Sequence, residues 1–169
     1  MQFSQSVPFA PINEIVDPVL HLASPFSGKV QSLRQHPLAL FSSGMIGRGV
    51  TVELTQGKVT APFDGKIEQV KRHGYEIILV AKNGLKLLIH IQPPSEQANT
   101  SLQITSAFGK KEVKQGELLA YFETTHLEKP LLGSLLIVNA DKLGPCFYPL
   151  KQVRAGLDPL ITITQNQNI

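Results

Sequence analysis

The chain has 169 residues, of which 42% are hydrophobic and 17% are charged. This length suits one compact domain that buries about 70% of its unfolded surface, and a second domain is not expected. The 16 lysines and arginines exceed the 13 acidic residues by only three, and they are scattered rather than gathered into a basic stripe with interleaved aromatics. The composition therefore argues against a nucleic-acid partner.

The cysteine content and the N-terminus indicate the compartment. Cys146 is the only cysteine, so the chain has no disulfide framework, and we predict that this residue is a small core side chain. The first residues lack the basic and apolar regions of a signal peptide, and no run reaches the roughly 18 apolar residues that span a bilayer. We expect a soluble, cytoplasmic protein that is peripheral to a membrane at most.

Proline content sets the expected domain limits. Residues 1–19 carry three prolines and few paired apolar positions, which predicts an irregular N-terminal arm. Residues 20–165 are predicted to form a single β domain, and residues 166–169 a frayed tail.

A short motif occurs twice. The pattern Pro-Phe-x-Gly-Lys-aliphatic at 25–30 returns 37 residues later at 62–67. Each copy supplies a proline entry, a glycine that we predict to be a turn residue (Gly28 and Gly65), and then a strand. The repeat predicts two copies of one supersecondary unit that pack against each other.

The strongest local signal is a hairpin at 75–91. Two apolar runs, 75–81 and 85–91, flank Lys82-Asn83-Gly84, and Asn-Gly between such runs is typical of a tight turn. With Asn83 and Gly84 as the turn, His90 is expected to face Ile77. Further strands are predicted at 102–105, 116–122, 135–138 and 160–163, with only short helical turns within 124–132 and around 140–143.

These short strands, with 13 glycines and 12 prolines, predict an all-β protein. Combined with the repeat, they favour an internally duplicated antiparallel β-sandwich with a barrel-like outline.

The five histidines differ in their surroundings. His21, His36 and His126 lie near loop signals, where a solvated surface histidine is the expectation. His90 lies within an aliphatic run, so it is either a satisfied structural histidine or the floor of an apolar depression. His73 precedes Gly74, which allows the chain to bend so that the two rings converge.

Two converging histidines leave a small set of chemistries. Catalytic zinc needs three protein ligands, and Gln92 lies where His-x-His would place a second one, so no intrinsic metal site is predicted, although His73 and His90 could complete a zinc site with a partner's carboxylate. No Gly-x-Ser-x-Gly nucleophile motif is present. An imidazole can instead attack a phosphoryl group while a second histidine donates to its oxygens.

The chain resembles the glucose-type enzyme IIA domains of the bacterial phosphoenolpyruvate-dependent sugar phosphotransferase system, from about residue 20 to 165. The resemblance depends on segments that match in order and spacing: Ser-Pro-Phe-Ser-Gly at 24–28, Met-Ile-Gly-Arg-Gly-Val at 45–50, Ala-Pro-Phe-Asp-Gly-Lys-Ile at 61–67, His73, Gly-Leu-Lys-Leu-Leu-Ile-His-Ile at 84–91, and Val-Lys-Gln-Gly-Glu-Leu-Leu at 113–119.

The resemblance implies a duplicated β-sandwich without a cofactor. It implies that His90 accepts a phosphoryl group from the histidine phosphocarrier protein and passes it to a IIB domain of a IIB/IIC sugar permease, with His73 assisting. Lys71, Arg72 and Gln92 are expected to contact the phosphate or a partner, since they flank the two histidines.

Two further hypotheses remain open. After His90 the chain reads Ile-Gln-Pro-Pro-Ser, where the family usually has a glycine and an aspartate, which keeps a non-transferring regulatory homologue that binds transporters or metabolic enzymes in view. A relative of zinc peptidases with a duplicated β-motif is a third hypothesis, and the missing His-x-His argues against it.

Overall fold

The computed structural model describes residues 6–93, 102–104, 111–125 and 127–166, without the side chains of His73 and residues 102–104. Its one α-helical turn is α1 (Ala39–Ser42), and 3₁₀ turns lie at Ile12–Glu14, Leu33–Gln35 and Arg72–Gly74. The strands in chain order are β1 (Pro18–Ala23), β2 (Gly28–Ser32), β3 (Arg48–Leu54), β4 (Lys58–Thr60), β5 (Gly65–Lys71), β6 (Glu76–Ala81), β7 (Lys86–Gln92), β8 (Leu102–Ile104), β9 (Glu112–Val113), β10 (Leu118–Phe122), β11 (Leu132–Ile137), β12 (Cys146–Phe147), β13 (Gln152–Val153) and β14 (Pro159–Thr164).

The strands form three antiparallel sheets. The largest has the order β13-β2-β3-β11-β7-β6-β5-β9, and two smaller sheets have the orders β1-β14-β12 and β4-β10-β8. One apolar core joins all three, because it takes Val52 from the large sheet, Leu22 from the second and Phe122 from the third. The prediction of an all-β, antiparallel, layered fold is confirmed.

The two copies of the repeat have equivalent surroundings. Strands β2 and β5, which follow the two motifs, are each second from an edge of the eight-stranded sheet. The edge strand beside β2 pairs Val153 with Gly28, and the edge strand beside β5 pairs Val113 with Gly65. The internal duplication predicted from the motif is therefore visible in strand order and in register.

The two motif glycines begin strands instead of forming turns, and close backbone contact is what requires them. A Cβ at Gly28 would lie 1.9 Å from the Glu53 carbonyl oxygen, and one at Gly65 would lie 2.4 Å from the Val80 carbonyl oxygen. Neither oxygen can withdraw without breaking the sheet, so these positions exclude every larger side chain.

Gly28→Val is therefore expected to destabilise the fold by about 2 kcal/mol or more, because the added atoms overlap backbone that cannot move. Gly84→Ala is the matched control, since a Cβ there has no heavy atom within 4 Å and only the positive φ of 90° is strained. Urea unfolding measures both. Equal midpoints for Gly28→Val and the wild type would contradict the close-contact explanation.

The hairpin at 75–91 forms, but the predicted register is wrong by one residue. Glu76, not Ile77, pairs with His90. The Ala81 N–H donates to the Leu85 carbonyl and the Gly84 N–H to the Ala81 carbonyl, so the loop has three residues, with Gly84 at positive φ. Three-residue loops of this kind add one residue relative to a two-residue turn, which shifts every cross-strand pair.

The chain ends contact the core at a few points. Val7 is buried in the main core, and the N–H of Ala10 donates to the carbonyl of Tyr148. Asn166 donates to the Lys142 carbonyl, while residues 167–169 of the predicted tail lie outside the described part of the chain. Cys146 is buried, as predicted for a core residue.

The helical turns predicted within 124–132 and around 140–143 are single hydrogen-bonded turns among the described residues: the N–H of Leu127 donates to the carbonyl of Thr124, and the N–H of Leu143 donates to the carbonyl of Ala140. His126 lies outside the described part of the chain. Within the described ranges, no helix is long and apolar enough to cross a membrane.

Candidate functional site

A row of polar side chains crosses the eight-stranded sheet on the face opposite the main core. Register places Thr51 of β3, Ser134 of β11, His90 of β7 and Glu76 of β6 side by side. The hydroxyls of Thr51 and Ser134 are 3.0 Å apart, and both are fully buried. Thr51 and Ser134 therefore form one pair within the row, and the cross-strand register places His90 beside Ser134.

His90 is on this face because strand side chains alternate. Leu87, Ile89 and Ile91 point into the main core, while Leu88 and His90 point to the other face. A second apolar cluster of Leu33, Phe41, Leu88 and Leu136 is packed there. His90 therefore lies at the boundary between an apolar patch and a polar row, and it is buried with a polar partner at each ring nitrogen, which fits the structural histidine of the two predicted alternatives.

Aromatic rings cover His90 from one side. Phe41 of α1 stacks on the His90 ring with centroids 4.3 Å apart and planes inclined by 29°. His36 lies 4.7 Å from Phe41 and 5.5 Å from His90, measured between ring centroids. These contacts leave His90 only 1% exposed.

Glu76 determines which nitrogen of His90 carries the proton. Its Oε1 is 3.3 Å from His90 Nδ1, and it is also 3.6 Å from the Nε of Arg72. A carboxylate is an acceptor, so Nδ1 must carry hydrogen and donate to Glu76. In the neutral ring, the lone pair is then on Nε2, as a nucleophilic imidazole requires.

Gln92 covers that lone pair. Its Oε1 is 3.2 Å from His90 Nε2, which suits a protonated Nε2 but repels a lone pair. A 180° flip of the Gln92 side-chain amide exchanges the positions of its oxygen and nitrogen, and the amide N–H then donates to His90 Nε2. In both arrangements Gln92 lies against the atom that would attack a phosphoryl group.

Burial keeps His90 neutral near pH 7. Removal from water lowers the pKa of His90 below its ordinary value of 6.5, while the hydrogen bond to Gln92 and the charge of Glu76 act in the opposite direction. Because the net direction is downward, the neutral ring, which has a lone pair on one nitrogen, is the main form at physiological pH.

The other predicted site residues lie at the β5–β6 connection. Lys71 ends β5 and is exposed, and the side chain of Arg72 is 69% exposed with a backbone φ of 50°. Gly74 has a φ of 96°, so the chain bends there as predicted. The His73 side chain lies outside the described part of the molecule, and its convergence with His90 stays a prediction.

A backbone hydrogen bond joins the β5–β6 connection to the strand that carries His90. The N–H of Ile91 donates to the carbonyl of Tyr75 at 2.8 Å, which ties the end of the β5–β6 connection to the residue after His90. His73 lies two residues before this link.

The prediction for His36 is wrong. It was expected to be a solvated loop histidine, yet it is 4% exposed and packs in the ring cluster with Phe41 and His90. Pro37 and the short helical segments fold this loop back over the sheet. The sequence analysis also missed Glu76 and Phe41, and the correct hairpin register would have identified Glu76.

The described residues offer no complete metal site. Among them, no group of three or more His, Cys, Asp or Glu side chains lies close enough together to hold a metal ion. Glu76 and His90 form only a pair.

Acid is expected to destabilise this histidine cluster. Burial and then the nearby His90 lower the pKa of His36 from 6.5 to about 4. Between these values the unfolded chain binds more protons than the folded one, so the contribution of His36 is complete above pH 6.5 and is lost as the pH falls toward 4. Urea unfolding across this range should show a decrease on the order of 2 kcal/mol in the free energy of unfolding.

His36→Asn is the control for this pH dependence, because asparagine does not titrate. Its stability should fall less between pH 6.5 and pH 4. Parallel pH curves for wild type and variant would exclude His36 as the cause.

Two comparisons with known proteins match the part of the chain that contains this site. Residues 20–142 match the family model described as phosphoenolpyruvate-dependent sugar phosphotransferase system, EIIA 1. Among solved structures, the glucose permease IIA from Mycoplasma capricolum is similar in fold, with a TM-score of 0.63 and 18% sequence identity over 85% of this chain and 94% of that chain. The matched residues include His36, Glu76, His90 and Gln92.

Proposed function

Because this chain belongs to the EIIA 1 family of the phosphoenolpyruvate-dependent sugar phosphotransferase system, we propose that it carries phosphoryl groups on His90 during sugar uptake. The phosphocarrier protein is the donor, and a IIB domain of a IIB/IIC sugar permease is the acceptor. The similar fold of a glucose permease IIA supports a sugar permease as the partner. The reaction needs no cofactor and places the protein in the cytoplasm, at most peripheral to the membrane.

One observation carries this proposal: His90 Nδ1 is fixed against Glu76, which leaves Nε2 as the atom with a lone pair. The Nε2 lone pair attacks the phosphorus, and the N–P bond of the carrier's phosphohistidine breaks. The electron pair of the broken bond stays on the carrier's imidazole, so phosphoryl transfer balances without an added acid. Phe41 stacks on the ring and limits the access of water to the new bond.

The remaining residues of the proposed site supply charge and contact. His73 assists by donating to the phosphoryl oxygens, while Lys71 and the exposed Arg72 attract the anion at the rim. Leu38, Leu40 and Met45 are exposed apolar residues on the segment that carries α1, which suits docking of a partner over His90. Residues 20–165 act as one IIA-like β domain, preceded by the arm at 1–19.

The test is phosphorylation in vitro. The protein is incubated with phosphoenolpyruvate, the first enzyme of the system and the phosphocarrier, and the product is then offered a IIB domain. The proposal expects an acid-labile, base-stable label that moves to the IIB domain. A protein that folds and takes no label would contradict it.

A second candidate function is regulation without transfer, in which the fold binds transporters or metabolic enzymes. It is favoured by the cover over the nucleophile, since His90 is 1% exposed and Gln92 is 3.2 Å from its Nε2. A phosphoryl group cannot reach Nε2 until Gln92 moves.

Gln92→Gly separates the two functions. Removing the amide frees Nε2 of a contact worth about 1 kcal/mol, so the phosphorylation rate should rise by several-fold if the wild type is a carrier. Pro93 provides a matched control, because Pro93→Ala alters the same segment without uncovering Nε2. A wild type that takes no label, together with a Gln92→Gly variant that does, would favour the regulatory function.

A further inference from the structure

We propose that His36 belongs to the phosphoryl site in addition to His90 and His73, and that its Nε2–H donates a hydrogen bond to the phosphoryl group on His90. This inference rests on the proposed function and adds a residue to it. Three observations carry it: the tautomer of His36, the burial of its free N–H, and its place in the ring cluster.

The tautomer follows from one backbone contact. The N–H of Leu38 donates to Nδ1 of His36 at 3.1 Å. A backbone N–H can only donate, so Nδ1 must be the acceptor and has no hydrogen. In the neutral ring the hydrogen is therefore on Nε2, and this atom is a donor.

That donor is buried without a partner. His36 is 4% exposed, and Nε2 makes no hydrogen bond within the described ranges. A buried donor that no acceptor satisfies destabilises the fold, and native proteins retain few of them. The unused N–H is therefore explained if its acceptor is present only in another state of the protein.

The position of His36 beside His90 indicates that this other state is the protein phosphorylated on His90. Its ring centroid is 5.5 Å from that of His90, and both rings contact Phe41. In the unmodified protein, protonation of His90 disfavours protonation of His36. A phosphoryl group adds about two negative charges and several acceptor oxygens, so its arrival reverses this repulsion.

The step itself involves no proton transfer from His36. Nε2 of His90 forms the N–P bond, the bond to the carrier's nitrogen breaks, and the carrier retains the electron pair. His36 keeps its hydrogen and shares it with a phosphoryl oxygen. Its role is to stabilise the phosphorylated form relative to the phosphocarrier.

Two substitutions test the roles of the two ring nitrogens of His36 separately. His36→Asn keeps an acceptor for the Leu38 N–H, because the asparagine oxygen can occupy the place of Nδ1, but it removes the distal donor. His36→Gln extends an amide N–H toward the place of Nε2 and keeps the donor. His21→Gln is the control, since His21 is exposed on β1 and its Nδ1 contacts Thr162 at 2.8 Å.

The measurement is the equilibrium between phosphorylated carrier and phosphorylated protein, with thermal unfolding of each unmodified variant beside it. His36→Asn should shift this equilibrium toward the carrier by about tenfold, as expected for the loss of a hydrogen bond to a charged group. His36→Gln should stay within about threefold of wild type. Both variants should unfold at or above the wild-type temperature. His36→Asn has lost the unsatisfied N–H, and the longer side chain of His36→Gln can move its N–H to an acceptor.

Nuclear magnetic resonance of ¹⁵N-labelled protein gives an independent readout. The Nε2–H resonance of His36 should move downfield when His90 is phosphorylated. An unchanged resonance, or a His36→Asn equilibrium equal to that of wild type, would overturn the inference. The inference would also be overturned if His36→Asn and His36→Gln shifted the phosphorylation equilibrium equally and both variants had lost thermal stability. Wild type without label on His90 would instead count against the proposed function.

Discussion

His90→Ala is expected to lower the rate of phosphoryl transfer by at least about 10⁴-fold, because the attacking atom is removed. The fold should survive, since Phe41 and the Leu88 cluster remain to cover the small cavity. Quenched-flow transfer of ³²P from the phosphocarrier measures the rate, and circular dichroism confirms the β-structure.

His21→Ala is the matched control and should label like wild type, because His21 is exposed on β1 in a different sheet. Labelling of His90→Ala at more than about 1% of the wild-type rate would place the acceptor on another residue.

Glu76→Gln is expected to lower the transfer rate by about 10²-fold while keeping the shape of the site. Glutamine presents both a donor and an acceptor to His90 Nδ1, so the ring no longer has a fixed tautomer, and the negative charge that supports the ring during attack is lost. Single-turnover labelling measures the effect.

Glu68→Gln provides the control, because Glu68 forms an exposed ion pair with Lys86 on the same sheet and has no contact with His90. A Glu76→Gln protein that transfers within about threefold of wild type would show that Glu76 does not determine the tautomer.

The features of the fold that depend on a single strand or a single motif could be predicted from the sequence. The apolar runs of β6 and β7 mark two strands, of which β7 is buried on both faces from Leu87 to Ile91, and the Pro-Phe-x-Gly-Lys repeat reflects a geometry that only glycine permits at Gly28 and Gly65. These features are local, so they can be inferred without knowing which strands become neighbours.

The site was harder to predict, because it depends on contacts between distant segments. The pairing of His90 with Glu76 depends on a three-residue loop, and the sequence Lys-Asn-Gly also suits a two-residue turn. His36 lies beside Pro37, a usual sign of an exposed loop, yet the chain folds back so that Phe41 stacks on His90. No periodicity records such a long-range contact.

The central claim is that Nε2 of His90 carries the phosphoryl group. Nuclear magnetic resonance of protein labelled with ¹⁵N-histidine and phosphorylated through the phosphocarrier tests it most directly, because phosphorus couples to the nitrogen that it is bonded to. We predict coupling to Nε2 of His90, with Nδ1 still protonated against Glu76. Phosphorus on Nδ1, on another histidine or on none would contradict this assignment.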